Sequence, residues 1–419
     1  MAKLVINGGR RLGGAVHIHG AKNSALPILA ATVLVDGCCE IENCPKLSDV
    51  AAAVAILEHL GCRVTREEHT VVVDARGVCR GDIPDVLMRE MRSSIVFLGA
   101  IAARTGGARL SFPGGCELGP RPIDLHVAAL RQLGLHIREE CGQLRCSSKG
   151  RLKGCAITLA FPSVGATENI LLAAATAEGT TTIFNAAREP EICDLCAFLT
   201  ACGARIRGGG ESTIVIEGVE KLSGCTHRVI PDRIETATYM GAAAITGGSL
   251  LIKDVCPEHI RAITPVFEEM GCQLTSWEQE VLVSAPARLR RVKTVRTLPY
   301  PGFPTDAQAL VMAMACAAEG TSVFIETIFE SRYKHAGELM RLGARIKVEG
   351  RVAVVEGNAQ LSGAPVECTD LRGGAALVLA ALAAEGQTEI TDLYHLERGY
   401  EALTECLCQV GASATLVEK

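Results

Sequence analysis

One marker recurs six times in this chain, and the recurrence constrains the fold more than any single motif. An amphipathic stretch ends in a glycine that opens a strand-like run. It stands at Leu60-Gly61-Cys62, Leu133-Gly134-Leu135, Cys202-Gly203-Ala204, Met270-Gly271-Cys272, Leu342-Gly343-Ala344 and Val410-Gly411-Ala412. The glycines are 73, 69, 68, 72 and 68 residues apart. A second marker, an Ala-rich stretch closed by glycine, stands at Gly37, Gly107, Gly179, Gly248, Gly320 and Gly386, at intervals of 70, 72, 69, 72 and 66. A third is a hairpin-like turn, as in Arg11-Leu12-Gly13-Gly14, Arg151-Leu152-Lys153-Gly154, Lys221-Leu222-Ser223-Gly224 and Gln360-Leu361-Ser362-Gly363. Three independent markers in one register define an internal repeat of about 70 residues.

Each repeat reads hairpin, helix, strand, helix, strand, which predicts an α/β fold. Glycine after a helix suits a C′ position of positive φ. The first helix of each repeat, such as Ile170-Leu171-Leu172-Ala173-Ala174-Ala175, is apolar nearly all round and must be buried on every side. The second, as in Val54-Ala55-Ile56-Leu57-Glu58-His59-Leu60, is amphipathic. Buried inner helices walled by sheets and outer helices follow. The last repeat lacks its hairpin, and residues 4–18 supply a spare one. At 419 residues the chain exceeds one ordinary core. Two domains of three pseudo-symmetric repeats are therefore expected: 21–230, and 1–20 joined to 231–419. Crossings near Gly20 and Ile230 predict a hinged cleft.

Composition sets the compartment and excludes some partners. A net charge of −5 argues against a nucleic-acid or membrane surface. No apolar run reaches the roughly 18 residues needed to span a bilayer. Met1-Ala2-Lys3-Leu4-Val5 leads into a strand rather than a signal segment. Nineteen cysteines without a regular framework suit a reducing cytoplasm. Cys193 and Cys196 have metal or redox spacing, but a structural zinc wants four ligands. No metal is expected there. Cys38-Cys39 and Cys406-Leu407-Cys408 read as core filling, and His126 as a packed or capping histidine.

The inner helices begin with polar residues: Lys22-Asn23, Arg92-Ser93-Ser94, Ser163-Val164-Gly165, Asp232-Arg233, Thr305-Asp306 and Thr369-Asp370-Leu371-Arg372. Ser, Thr, Asn and Asp there are ordinary N-caps. Capping does not explain Lys22, Arg92, Arg233 or Arg372, because a helix start disfavours cations. A bound anion would compensate them. Loop length then isolates one repeat. The interval from the second-marker glycine to the first-marker glycine is 24, 27, 24, 23, 23 and 25 residues. The longest contains Pro113-Gly114-Gly115-Cys116-Glu117-Leu118-Gly119-Pro120-Arg121-Pro122-Ile123-Asp124-Leu125-His126. Three glycines and three prolines in that stretch forbid a helix or strand interior. The segment 112–126 reads as a lid carrying a thiol that Arg121 can activate.

These stretches together resemble the enolpyruvyl transferases that act on UDP-N-acetylglucosamine. The similarity runs the whole length. Its marks are Gly20-Ala21-Lys22-Asn23-Ser24-Ala25-Leu26-Pro27, the Cys116 loop, Pro162-Ser163-Val164-Gly165-Ala166-Thr167 and Ala187-Arg188-Glu189-Pro190-Glu191. Further marks are Pro231-Asp232-Arg233-Ile234-Glu235-Thr236, Phe303-Pro304-Thr305-Asp306 and Glu397-Arg398-Gly399-Tyr400. The resemblance implies two inside-out α/β barrels around a cleft. It implies phosphoenolpyruvate and UDP-N-acetylglucosamine as substrates, no cofactor, and the first committed step of peptidoglycan synthesis. Cys116 matches the general acid and Asp306 the base. Lys22, Arg121 and Arg398 match cations around the carboxylate and phosphate, Lys22 and Arg398 counting among the catalytic set. Asn23, Arg92, Pro122, Ile123, Asp124, Leu125, Ser163, Val164, Gly165 and Ile328 match substrate-binding positions. Arg372 and Asp232 match residues of the cleft. Phe161-Pro162 departs from members that carry a lysine there, which removes one diphosphate contact.

Two rivals are set aside at this level. The sister enzyme acting on shikimate 3-phosphate shares the repeats but has no counterpart of the Cys116 loop. A six-unit scaffold or clamp would need a basic inner surface for DNA. Here the cations stand singly at helix starts.

Overall fold

Six Ala-rich helices occupy the interior because none has a polar face to expose. They are Lys22–Thr32, Phe97–Thr105, Val164–Ala174, Arg233–Thr246, Thr305–Ala317 and Leu371–Ala383. In the last, every residue from Arg372 to Leu382 is buried. The computed structural model describes residues 2–112, 123–357 and 360–417. They divide into two compact units. The first comprises 20–112 and 123–230; the second comprises 2–19 and 231–417. Each has its own apolar core.

In the second unit the three inner helices all pack on one another; in the first, Phe97–Thr105 packs on both Lys22–Thr32 and Val164–Ala174. Close approach depends on small residues at the contacts. A Cβ on Gly241 would lie 2.7 Å from Leu379 Cδ1 and 3.5 Å from Met314 Sδ, both from the other two inner helices of the second unit. A Cβ on Gly99 would collide with the backbone carbonyl of Asn169 in the first. Arg372 and Asp306 meet at the starts of their helices, while Leu379 and Met314 meet Gly241 at mid-height. Those helices therefore run side by side in one direction.

Sheets wall the helices. The second unit has three four-stranded sheets; the first has two, with a three-stranded sheet extended by an isolated bridge between Asp82 and Arg109. Their construction is uniform. Thr294–Arg296 pairs in parallel with Thr321–Ile325, Thr294 opposite Val323, across the inner helix Thr305–Ala317. Thr321–Ile325 then pairs antiparallel with Val352–Glu356, and that strand with Arg345–Glu349. Parallel neighbours need such a crossover, and the buried helix supplies it. Strand residues alternate between core and solvent, as in Thr213–Glu217, where Ile214 and Ile216 are buried.

The third marker is not a hairpin turn. Gly13–His17 pairs in parallel with Ser249–Lys253, whereas Lys3–Asn7 lies between Gln387–Thr391 and Ser413–Val417. The strands on either side of the turn at 10–13 thus enter different sheets. Likewise Gln143–Ser147 and Ala156–Thr158, which flank Arg151–Gly154, belong to separate sheets. Each strand after such a turn finds its partner beyond a buried helix. The true hairpins are the outer pairs, such as Arg63–Glu67 with Thr70–Asp74.

The first-marker glycines Gly61, Gly134, Gly203, Gly271, Gly343 and Gly411 all take left-handed backbone, with φ from 93° to 105°. A residue with a Cβ would be strained there, which accounts for glycine in every register. No helix among the described residues is long and apolar enough to cross a membrane.

Candidate active site

In the first unit the charged helix starts are drawn into the protein. Lys22 opens Lys22–Thr32 without a side-chain cap, and its Nζ lies 3.0 Å from Asp49 Oδ2. Both side chains are buried. Asp49 belongs to the outer helix Ser48–Leu60. The cation at this helix start is thus matched by a carboxylate of the protein itself, a partner that the sequence reading did not foresee. Ser24, two residues on, donates to Asp194 Oδ2, whose other oxygen meets His227 Nε2 at 2.8 Å. Asp194 thereby ties the Lys22 helix to the outer helix Pro190–Ala201 and the strand Thr226–Arg228. The pattern Cys193-Asp194-Leu195-Cys196 directs attention to its thiols, yet the carboxylate between them makes these contacts.

Arg92 starts a 3-10 turn, Arg92–Val96, that runs into Phe97–Thr105. Ser163 caps Val164–Ala174, its hydroxyl accepting from the Ala166 N–H at 3.3 Å. Val164 and Gly165 form the first turn. His126 stands against it: a Cβ on Gly165 would lie 2.9 Å from His126 Cε1. The Asn169 amide donates to His126 Nδ1 at 2.9 Å and to the Ile95 carbonyl at 3.1 Å, and its carbonyl accepts from the Gly99 N–H at 2.7 Å. Burial, helped by the Arg92 charge, lowers His126 to about 4. The imidazole is neutral and wedges the helix start; it is no base at neutral pH. Asp124 opens the helix Asp124–Gln132, exposed, with Leu125 half-buried and Ile123 buried. Cys116, Arg121 and Pro122, with the rest of 113–122, lie outside the described residues.

Glu168 is buried one turn into Val164–Ala174. Burial, then the charges of Glu191 and Glu189, pushes its carboxyl up to about 8. It is protonated at neutral pH. The stretch carrying those glutamates is held by the Ala187 N–H donating to Thr167 Oγ1 at 3.1 Å.

In the second unit the starts of two inner helices share one ionic cluster. Asp306 lies in the first turn of Thr305–Ala317, where the helix field favours an anion. Its Oδ1 is 3.0 Å from Arg332 Nη2 and its Oδ2 3.3 Å from Arg372 Nη2. Both arginines are buried, while Asp306 keeps 29 % of its side chain exposed. A carboxylate so placed is anionic, fixed and reachable. Arg372 itself follows Asp370, whose Oδ1 accepts from the Arg372 and Gly373 N–H groups at 3.0 Å each. Burial opposes charge on Arg372, but Asp306, Tyr400 and Asp232 outweigh it and raise its pKa. The Tyr400 hydroxyl lies 3.3 Å from Arg372 Nη1 and 2.8 Å from Thr238 Oγ1. Gly399 abuts Leu371, so the half-buried Arg398 stands beside the start of the Arg372 helix. Asp232 caps Arg233–Thr246 through the Ile234 and Glu235 N–H groups. Arg233 lies over the Tyr300 ring, 5.8 Å from its centroid.

Ile328 is placed by a neighbour that sequence reading missed. Glu326 is 1 % exposed. Its Oε1 accepts from the Ile328 N–H, the Phe329 N–H and Thr297 Oγ1 at 2.7, 3.1 and 2.9 Å. Its Oε2 accepts from Thr305 Oγ1 at 2.9 Å. One carboxylate clasps the Ile328 loop to the residue before Asp306. Arg332 was also missed, though a signal exists. Arg332, His335, Ala336 and Leu339 follow the i, i+3, i+4, i+7 spacing of a buried helical stripe, and all four are buried. A guanidinium on such a stripe needs an internal partner, which Asp306 provides.

Comparison with known proteins places this geometry. The family model described as EPSP synthase (3-phosphoshikimate 1-carboxyvinyltransferase) matches residues 6–407. A relative from Caldanaerobacter subterraneus subsp. tengcongensis, named UDP-N-acetylglucosamine 1-carboxyvinyltransferase 2, is 52 % identical over 412 residues, covering 98 % of this chain and 99 % of its own. UDP-N-acetylglucosamine 1-carboxyvinyltransferase 1 of Symbiobacterium thermophilum is 51 % identical over 420 residues, covering 99 % and 95 %. The chain belongs to the UDP-N-acetylglucosamine 1-carboxyvinyltransferase family. Among solved structures, the enolpyruvyl transferase NikO from Streptomyces tendae superposes with TM-score 0.91 at 28 % identity, covering 99 % of each chain. The EPSP synthase of Acinetobacter baumannii gives 0.77 at 19 % identity over the whole of both chains, a likeness of fold. The mixed α/β architecture is thus that of the carboxyvinyltransferase family and its structural neighbours. The Asp306–Arg332–Arg372 cluster and the His126 wedge are how this member builds its helix starts.

Proposed function

We propose that this chain transfers the enolpyruvyl group of phosphoenolpyruvate to the 3-hydroxyl of UDP-N-acetylglucosamine, releasing phosphate, in the first committed step of peptidoglycan synthesis. The observation that carries the reading is the 52 % identity, over nearly the full length of both chains, to a protein named for that activity. The geometry of Asp306 supports it. The acceptor hydroxyl adds to C2 of the enolpyruvyl group as Cys116 delivers a proton to C3. Asp306 receives the hydroxyl proton. Its two guanidinium partners fix where it points and hold it anionic until the proton arrives. A proton then leaves C3, the double bond re-forms and phosphate departs. Lys22, Arg121 and Arg398 stabilise the negative charge that builds on the leaving group. Asn23, Arg92, Pro122, Ile123, Asp124, Leu125, Ser163, Val164, Gly165, Ile328 and Arg372 hold the two substrates. Each unit is an inside-out barrel in this reading, its helices inside and its sheets outside. In this reading the enzyme works in the cytoplasm, where its thiols stay reduced.

Two variants test the roles. Asp306→Ala keeps measurable binding of the nucleotide sugar by calorimetry but forms no product; normal turnover would displace Asp306 from the chemistry. Cys116→Ser cripples turnover by the two or more orders of magnitude that loss of a general acid costs, about 10²–10⁴-fold. A wild-type rate across neutral pH would remove the thiol from the mechanism.

A further inference from the structure

Three cysteines of the first unit, carried on separate elements, converge on one point. Cys39 lies in the strand Cys38–Glu42, Cys202 closes the helix Pro190–Ala201, and Cys225 directly precedes the strand Thr226–Arg228. Their Sγ atoms all lie within 4.8 Å of one another, and those of Cys202 and Cys225 are 3.3 Å apart. Backbone bonds hold the arrangement. The Cys225 carbonyl accepts from the Glu40 N–H at 2.9 Å, and the Cys202 carbonyl accepts from the Ser223 N–H at 2.8 Å. Cys39 and Cys202 are buried; Cys225 is half-buried and offers the way in. Asn43, at the end of the Cys39 strand, touches Gly20 just before the Lys22 helix. Cys39 is four residues back along that strand, roughly 13 Å away. Cys39 therefore stands apart from the start of the Lys22 helix.

The surroundings select the ligand by charge. Among the described residues no charged side chain is hydrogen-bonded or ion-paired to any of the three thiols. A divalent ion on three thiolates would leave one uncompensated buried negative charge, and a monovalent ion two. Such charges are costly away from water. A trivalent centre leaves none, and one with a lone pair needs no fourth ligand.

We propose that Cys39, Cys202 and Cys225 form a binding site for a trivalent thiophilic metalloid of the arsenite class, held as a neutral trithiolate. Each thiol proton leaves with one hydroxide of arsenous acid. Three As–S bonds form, three As–O bonds break, three waters are released, and no electron changes hands.

The site is tested by native intact-mass measurement of the full chain with arsenous acid under a thiol-free reductant. The expected species is protein plus arsenous acid less three waters. Cys225→Ser loses that species, while Cys193→Ser/Cys196→Ser retains it. A second readout needs no variant: bound arsenite protects Cys39, Cys202 and Cys225 from maleimide labelling on denaturation. An adduct short of only two waters, a three-water adduct that persists in Cys225→Ser, or equal labelling of the three thiols with and without arsenite would overturn the proposal.

Discussion

Glu168 shows how a single side chain sets pH behaviour here. Its carboxyl is raised from the ordinary range to about 8 by burial and by Glu191 and Glu189. The folded state therefore holds a proton that the unfolded chain releases, so the stability tied to this group is full below the ordinary carboxylate range. It is lost as pH rises towards 8. Gln mimics the protonated form and has nothing to lose. We expect Glu168→Gln to gain stability relative to wild type as pH rises from 5 to 8, on the order of a few kcal/mol. Urea midpoints measured across that range check this, and parallel profiles for the two proteins would exclude it. At this scale the sequence was only partly readable. The helix starts at Lys22, Ser163 and Asp306 stand out as polar residues opening apolar runs. Their partners do not. Asp49, Arg332 and Glu326 come from distant segments, and only the fold brings a carboxylate to Lys22 or two guanidinium groups to Asp306.

Elements were more readable than their pairings. An Ala-rich run apolar on every face can only be a buried helix, and all six such runs are inner helices. The first-marker glycines reveal positive φ because glycine takes it without the strain a Cβ brings. The third marker misleads for a physical reason. Two strand-like runs around a turn look alike whether they pair with each other or part company. Here the strand after the turn pairs in parallel beyond a helix, a long-range choice that local sequence does not encode. The inner helices also explain a glycine that local propensity disfavours. Gly99 donates to Asn169 and faces its backbone carbonyl too closely for any side chain. Ala would gain about 1 kcal/mol of helix propensity, but the clash is with backbone and cannot be relieved by a rotamer. We expect Gly99→Ala to be net destabilising, overpacking costing about 1–3 kcal/mol. A denaturation midpoint equal to or above wild type would contradict the close-packed contact.

For the whole molecule, six repeats and two cores serve one arrangement: apolar helices whose starts carry the polar residues. The N-terminal segment shows how far that arrangement depends on distant chain. Lys3–Asn7 fills the middle of a sheet between Gln387–Thr391 and Ser413–Val417, and Gly13–His17 completes another beside Ser249–Lys253. The likeness to the carboxyvinyltransferases likewise covers 98 % of the chain rather than one motif. Acceptor dependence tests most directly what that whole does. Phosphate release from phosphoenolpyruvate should be measured with UDP-N-acetylglucosamine, with shikimate 3-phosphate and with neither. Sustained release is expected with the nucleotide sugar alone, together with a product bearing the enolpyruvyl group on its 3-oxygen. Sustained release with shikimate 3-phosphate, or none with UDP-N-acetylglucosamine, would contradict the proposed function.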